Sequence, residues 1–145
     1  MLARMKNYTL ALETNPRAED VAFLVERLYA YNVEQTGRDD GQWLSLFLRD
    51  DDGTIVAGLH GWTWADWLKV SDLWIREDER RRGRGRQLLR AAEAEARARG
   101  CTRATLNTYS FQAPSFYQKL GYRVVAVTED FPTGHRQYTL TKELT

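Results

Sequence analysis

The feature that most constrains the fold is a loop rich in glycine and arginine between a strand-like and a helix-like segment. The loop reads Arg80-Arg81-Arg82-Gly83-Arg84-Gly85-Arg86. An apolar stretch precedes it, and an alanine-rich stretch with paired leucines follows. Glycines let a backbone come close to a ligand, and a helix N-terminus offers free N–H groups to an anion. Arginine can add forked hydrogen bonds to phosphate oxygens. We therefore expect a polyanion to bind at this loop.

Apolar periodicity and turn residues predict an α/β fold with the element order β-α-β-β-β-α-β-α-β-β. The predicted strands are Asn7–Glu13, Trp43–Arg49, Thr54–Trp64, Trp67–Arg76, Cys101–Thr108, Tyr122–Glu129 and Arg136–Thr141. The predicted helices run from Asn15-Pro16 to just before Gly37, from Gly83 to Arg99, and from Gln112 to Leu120. The last helix has two possible starts, a cap at Ser110 or a later start at Pro114. Three antiparallel strands thus lead into the arginine loop, and the expected architecture is a sandwich on a mixed sheet.

The size and charge of the chain limit its function. Its 145 residues fit a single domain, 1–145, and its 21 basic and 20 acidic side chains leave a net charge of +1. A nucleic-acid-binding domain usually carries a larger basic excess, so the local positive charge favours one small polyanion. No apolar segment approaches the length of a membrane span, and the first ten residues lack a signal-peptide core. We expect a cytoplasmic protein that binds neither membranes nor nucleic acid.

Cysteine and histidine are too few for a metal site. Cys101 is the only cysteine, which rules out an internal disulfide and favours a small buried residue. His60 and His135 are far apart in the sequence. We therefore expect no metal.

Two motifs in this order and spacing resemble the GNAT acetyltransferase superfamily. The first is R-x-x-G-x-G, matched by Arg80, Gly83 and Gly85, with the aliphatic Ile75 five positions before the arginine. The second resembles N-x-x-A-x-x-F-Y-x-K-x-G-F and is matched from Ser110, which replaces the asparagine. Its matching residues are Ala113, Phe116, Tyr117, Lys119 and Gly121. The resemblance covers most of the chain.

The resemblance implies a three-layer α/β/α sandwich whose fourth and fifth strands splay apart to admit acetyl-CoA as co-substrate. It also implies one further short helix, for which the stretch 33–42 has room. Backbone N–H groups of Arg81, Arg82, Gly83, Arg84, Gly85 and Arg86 would bind the pyrophosphate, and Ser110 would lie beside the pantetheine arm. Leu73, Trp74 and Ile75 would pair with that arm through their backbone, and the N–H near Ile75 would face the oxyanion. Homodimers are frequent in this family, so a homodimer is possible.

The catalytic groups are predicted with alternatives. By motif position, Tyr117 is the expected general acid for the departing thiolate and also borders the cofactor. A base must deprotonate the acceptor amine, and Asp72, His60 or a water chain could do this. Alternation along the strand places Val70, Asp72 and Trp74 on one face, where a carboxylate needs a wet cleft.

The acceptor is expected to be a primary amine of a small molecule or peptide, attacking acetyl-CoA directly in a ternary complex. Aromatic faces can hold a cationic amine, and the sequence clusters four tryptophans on the third and fourth predicted strands. They are Trp62, Trp64, Trp67 and Trp74. Two alternatives are a GNAT-like domain that binds acyl-CoA without transfer, and a small nucleic-acid-binding domain that uses the arginine cluster.

The sequence also predicts two salt bridges on exposed faces of the second helix. Glu93 with Arg97, and Glu95 with Arg99, are four residues apart.

Overall fold

The structure is a computed structural model that describes residues 6–145. It forms two compact units, one up to Gly37 and one from Arg38 onward. The candidate site residues all lie in the second unit.

The first unit contains one helix, α1 (Ala18–Thr36). Its start lies two residues after Pro16, and Asp20 in the first turn pairs with Arg17 at 3.1 Å. Gly37 ends it in the left-handed conformation, where a glycine carries no Cβ penalty. The predicted strand Asn7–Glu13 is wrong, because these residues form no ladder of hydrogen bonds with a neighbouring strand. Alternation of apolar residues favours an extended chain, but only a partner makes it a strand.

The second unit is a six-stranded sheet with two helices. Its elements are β1 (Gln42–Arg49), β2 (Ile55–Trp64), β3 (Trp67–Ile75), α2 (Arg84–Ala98), β4 (Arg103–Tyr109), α3 (Pro114–Lys119), β5 (Arg123–Glu129) and β6 (Arg136–Glu143). The strand order is β1-β2-β3-β4-β6-β5, and only β3 and β4 pair in parallel. The mixed, mostly antiparallel sheet is as predicted. The extra short helix within 33–42 is not present, since α1 continues to Thr36 and residues 37–41 are not helical.

The core lies between one face of the sheet and the two helices. Leu88, Leu89, Ala92 and Ala96 form the buried stripe of α2, and Leu59, Leu68, Leu106 and Leu140 meet it from the sheet. Each fully buried leucine contributes about 1.5–3 kcal/mol. Phe116 and Leu120 pack α3 against the same cluster. The core therefore holds the N-terminus of α2 and the helix α3 close to β3.

Glu93 is buried, so the predicted exposed pair with Arg97 is wrong. Glu93 is 3% exposed, and its partners come from Tyr122, just before β5, and from Lys142 in β6. The hydroxyl of Tyr122 donates to one carboxylate oxygen at 2.9 Å, and the Lys142 amine donates to the other at 3.0 Å. These partners satisfy a charge that would otherwise be costly to bury. The second predicted pair, Glu95 with Arg99, is confirmed at 2.8 Å.

The parallel strands β3 and β4 separate halfway along their length. Their ladder pairs Trp67–Val70 with 103–106 and then ends. Beyond it, Ser71–Ile75 has β2 on one side and no strand on the other, while β4 continues beside β6. The predicted splayed pair is therefore confirmed, and its opening exposes backbone groups of β3.

A β-bulge in β3 changes which side chains share a face. Gly61 is paired with Val70 and the preceding His60 with Asp72, so Ser71 is an extra residue. Val70 packs in the core together with Leu73, and Asp72 points to the opposite face of the sheet. The predicted grouping of Val70 with Asp72 is wrong, because one inserted residue reverses the alternation downstream of it.

Candidate active site

The arginine loop reaches α2 through two left-handed residues. After a 3-10 turn at Glu77–Glu79, Arg81 has φ 62° and Gly83 has φ 76°. Gly83 is the N-cap of α2, and no neighbouring atom would meet a Cβ placed on it. Glycine adopts this conformation without the penalty of about 1–2 kcal/mol that other residues carry. The loop therefore turns sharply and enters α2 with open space around Gly83.

Backbone N–H groups at this turn are available to an anion. The first helical hydrogen bond runs from the Gln87 N–H to the Gly83 carbonyl at 3.0 Å. Among residues 6–145, no backbone carbonyl accepts from the N–H groups of residues 81–86. Together with the helix dipole, such unpaired donors favour a phosphate group.

The arginines of the loop have different roles. Arg80 donates from Nε to the carbonyl of Ile75 at 3.0 Å, which ties the loop to the end of β3. Arg84 pairs with Glu79 at 3.4 Å. Arg81, Arg82 and Arg86 are exposed and form no salt bridge within the part of the chain that the structure describes. These last three have their whole guanidinium groups available to a ligand, whereas Arg80 and Arg84 already use Nε in the contacts described.

Gly85 joins three elements around the loop. It is buried, and a Cβ at this position would lie 3.1 Å from Cδ1 of Ile75 and 3.1 Å from Cζ of Phe116. Contacts this short leave no room for a side chain unless the neighbours move. Gly85 therefore allows the first turn of α2 to touch both the end of β3 and α3.

Tyr117 lies on α3 beside this junction. Its ring makes edge contacts with Phe116 and Tyr122, at centroid distances of 5.1 and 6.0 Å. Its hydroxyl makes no hydrogen bond within residues 6–145, where no buried polar side-chain atom lacks a partner, so the hydroxyl reaches solvent. Burial raises the pKa of the Tyr117 phenol above its usual value. The group therefore keeps its proton at neutral pH and can donate it.

The half of β3 that no longer pairs with β4 contains Leu73, Trp74 and Ile75. On its opposite edge this segment pairs with Leu59, Gly58 and Ala57 of β2. An extended ligand could therefore take the place of the missing strand along this edge.

Ser110 connects β4 to the last hairpin. Its N–H donates to the Arg136 carbonyl at 2.9 Å, and its Oγ accepts from the Arg136 N–H at 3.1 Å. It does not cap α3, which begins at Pro114 with Ala113 as the N-cap. The later of the two predicted starts is therefore confirmed.

The residues considered as bases lie on the sheet face away from the core. Asp72 is exposed and lies opposite His60 in the β2–β3 ladder. Two side chains that sequence reasoning missed contact His60: Ser45 through Nδ1 at 2.7 Å and Trp43 through a stacked ring. Only the strand register could have revealed them, since Ser45 precedes His60 by 15 residues.

The four predicted tryptophans are not equivalent. The indole of Trp64 donates to the Arg38 carbonyl at 2.8 Å, and Arg103 lies over the Trp67 ring at 5.6 Å. Trp62 and Trp74 share the face of His60, and Trp74 is 51% exposed. Of the predicted aromatic set, Trp62 and Trp74 thus lie beside the candidate bases.

A cavity of about 490 Å³ lies near the turn between β5 and β6. It is lined by Ser110, Glu129, Asp130, Gly134, His135, Arg136 and Tyr138. The His135 ring meets Phe111 edge-on at 5.0 Å. No cluster of three or more carboxylate, histidine or cysteine groups within residues 6–145 is arranged to hold a metal ion.

Comparisons with known proteins identify the class to which this fold and site belong. The chain matches the acetyltransferase (GNAT) family over residues 7–122 and belongs to that family. It is therefore an acetyltransferase, and the family implies an acyl-CoA donor and an acceptor substrate.

Two relatives share much of the sequence. Blasticidin-S acetyltransferase from Streptomyces morookaense is 42% identical over 93 residues, 63% of this chain and 68% of the relative. Acetyltransferase Atu2258 from Agrobacterium fabrum is 34% identical over 116 residues, 80% of this chain and 83% of the relative. A crystal structure of a putative acetyltransferase from Agrobacterium tumefaciens has a TM-score of 0.84 at 31% identity, covering 94% of this chain and 99% of that one. These matches establish the GNAT-like fold. In addition, none of the helices within residues 6–145 has the length and apolar character that a membrane crossing requires.

Proposed function

We propose that this protein transfers the acetyl group of acetyl-CoA to a primary amine of a small molecule or peptide, by direct attack in a ternary complex. The observation that carries the proposal is the junction at Gly85. It brings the N–H groups at the start of α2, the open edge of β3 and the helix of Tyr117 together. Family membership supplies the reaction class, and this junction supplies the groups that the reaction needs.

The donor is held first by backbone groups. The pyrophosphate of acetyl-CoA would accept from the N–H groups of residues 81–86, with Arg81, Arg82 or Arg86 adding charge. The pantetheine arm would lie along Leu73, Trp74 and Ile75, with Ser110 on the far side of the opening. A backbone N–H of this edge would then stabilise the oxyanion of the tetrahedral intermediate, a contribution of about 3–4 kcal/mol in other enzymes.

Three proton transfers complete the reaction. A base removes a proton from the acceptor ammonium, and the amine attacks the thioester carbonyl. The C–S bond then breaks, Tyr117 donates its proton to the thiolate, and the second proton of the attacking nitrogen restores the phenol through water. Asp72 lies on the face away from the core, in the segment of β3 that no longer pairs with β4, and this position supports a role on the base side of the reaction.

The relatives suggest where to look for the acceptor. One of them is named for acetylating blasticidin S, so small-molecule amines of that kind come first in a substrate panel. Trp62 and Trp74 favour a cationic acceptor, since cation–π attraction contributes about 0.5–2 kcal/mol. A homodimer and a cytoplasmic location stay predictions.

The test measures release of free thiol from acetyl-CoA with blasticidin S, polyamines, amino sugars, amino acids and peptides. We expect turnover with at least one amine, and a fall in kcat of about 100-fold in Tyr117→Phe with acetyl-CoA affinity within about threefold. Tyr8→Phe is the matched control, because Tyr8 is 87% exposed and outside the second unit. Full turnover in Tyr117→Phe would remove the proposed acid, and no turnover with any amine would contradict the proposed reaction.

A further inference from the structure

Three polar side chains lie in register on one face of three neighbouring strands. Ser45 of β1 is paired with His60 of β2, and His60 is paired with Asp72 of β3. The bulge at Ser71 is what turns Asp72 to this face. β4 pairs with β3 only as far as Val70, and Asp72 is the second residue beyond that point. The row formed by these three side chains therefore ends at the opening between β3 and β4, where the thioester is proposed to lie.

The His60 ring is held by two contacts of different kinds. Its Nδ1 lies 2.7 Å from Ser45 Oγ, a short hydrogen-bond distance. Its ring stacks on Trp43 with 5.2 Å between centroids and 24° between planes. The hydrogen bond limits rotation of the ring about the Cβ–Cγ bond, and the stacking limits the tilt of the ring. The Nε2 atom therefore has a defined position.

One neutral form of the ring suits a base at Nε2. Ser45 Oγ can accept a proton carried by Nδ1 or donate its own to a bare Nδ1, and Nε2 has no hydrogen-bond partner among the residues that the structure describes. A base at Nε2 requires the Nδ1–H form, in which Ser45 Oγ is the acceptor and Nε2 keeps its lone pair.

We propose that His60 is the base that deprotonates the acceptor amine, and that Ser45 and Trp43 are its positioning residues. The inference rests on the proposed function and deepens it. Nε2 takes a proton from the acceptor ammonium, and the neutral amine attacks the carbonyl carbon. The new C–N bond forms, and the C–S bond breaks as Tyr117 supplies a proton to the thiolate. The second proton of the attacking nitrogen passes through water to the Tyr117 phenolate, and the imidazolium returns its proton to water.

The charges around the ring decide how well it can hold that proton. Asp72, directly opposite on β3, is the carboxylate that faces the ring, and Lys69, opposite Trp62 on the same strand, is the neighbouring cation. The side chains of β1 that face His60, Ser45 and Trp43, carry no charge. Asp72 is therefore the supporting charge rather than the base.

The first test is independent of activity. Nitrogen-15 NMR of the two histidine rings near pH 8.5, where imidazoles are neutral, reports which nitrogen is protonated. His135→Gln assigns the signals, because the chain has two histidines. We expect the Nδ1–H form for His60 and a shift toward the mixed form of a free imidazole in Ser45→Ala. An Nε2–H form in the unaltered protein would overturn the proposal.

The second test uses the pH dependence of kcat/KM for the amine. If the base is an imidazole, kcat/KM has a limb that rises with pH between about pH 5 and 8. If the base is a carboxylate, the corresponding rise lies near pH 4. We expect the higher limb to vanish in His60→Gln with a loss of at least about 100-fold, and to persist in His135→Gln. Ser45→Ala should displace the limb and lower kcat without changing acetyl-CoA affinity, and Ser45→Thr should restore both.

The two proposals fail in different ways. If His60→Gln acetylates amines with an unchanged pH profile, the proposed function stands and His60 is not the base. A protein that binds acetyl-CoA but acetylates no amine loses the proposed function, and the NMR result then decides the position of the proton on His60.

Discussion

The two sides of the opening in the sheet are built differently. On the proposed donor side, the candidate binding groups belong to the backbone: the turn at Gly83, the N–H groups at the start of α2 and the free edge of β3. On the other side, side chains from three strands form the row Ser45, His60 and Asp72. The donor side is one continuous stretch of sequence, whereas the row depends on strand pairing.

This difference shows what each side can tolerate. A backbone-built site depends on close approach, so it is sensitive to an added Cβ and insensitive to the loss of one exposed side chain. A site built from side chains depends on register and charge, so it is sensitive to the loss of single atoms. Family membership implies an acyl-CoA donor, whereas the fold does not fix the acceptor, which matches this division.

The largest effect on the donor side is expected from Gly85→Val. Its side chain would clash with Ile75 and Phe116, and overpacking of this kind costs about 1–3 kcal/mol. We expect acetyl-CoA affinity, measured by calorimetry, to fall by about tenfold or more. Ala94→Val, on the exposed side of α2, is the control for added volume on the same helix. Equal affinity in both variants would contradict the close-packed junction.

Asp72→Asn tests the opposite side. Loss of the carboxylate removes the charge that supports a protonated His60, and we expect kcat to fall by about tenfold, or about 1.4 kcal/mol. Affinity for acetyl-CoA should change less than about twofold, as measured by titration. Asp51→Asn, in the exposed turn between β1 and β2, should leave both unchanged. A loss of donor affinity in Asp72→Asn would mean that the two sides are not separate.

Single arginine changes should have smaller effects on donor binding. Arg81→Ala and Arg82→Ala each remove one exposed charge, and such charges contribute about 0.2–1 kcal/mol. We expect Kd for acetyl-CoA to rise about two- to fivefold at low salt and less at high salt, because salt screens exposed charges. Arg90→Ala, exposed further along α2, controls for net charge. A loss comparable with that of Gly85→Val would show that charge, rather than the backbone, holds the donor.

Tyr122→Phe should have the smallest effect on turnover, because it removes only the hydrogen bond to the buried Glu93 of α2. Burial and the neighbouring Glu93 carboxylate raise the pKa of the Tyr122 phenol above its unfolded value of about 10. Its contribution to stability is therefore complete below about pH 10 and is lost as the pH rises toward the higher folded pKa. Above pH 10, we expect the free energy of unfolding to fall with pH in both proteins. The slope should be steeper in the unaltered protein than in Tyr122→Phe, by up to about 1.4 kcal/mol per pH unit.

Denaturant titrations between about pH 9 and 12 measure this difference, with Tyr8→Phe as the exposed control. Identical slopes in all three proteins would show that Tyr122 ionises as easily in the folded chain as in the unfolded one.

Local patterns predicted the elements on either side of the arginine loop well. The helix of the arginine loop, the strand before it and the buried Cys101 all follow from short-range signals, namely glycine placement, periodicity and a helix stop. Errors arose where a partner decides the outcome. Asn7–Glu13 alternates but has no ladder, and Glu93 was placed on the surface because its partners, Tyr122 and Lys142, lie 29 and 49 residues away.

By itself, the sequence determined the class of enzyme and the loop that we propose as the donor site, because both depend on residues that are neighbours along the chain. The arrangement of the proposed acceptor face was decided by the tertiary structure alone. One extra residue at Ser71 reversed the faces of β3 and aligned Asp72 with His60, and strand pairing brought Ser45 within 2.7 Å of the ring. Side-chain alternation predicts a face only until the first bulge, and bulges are set by the neighbouring strand.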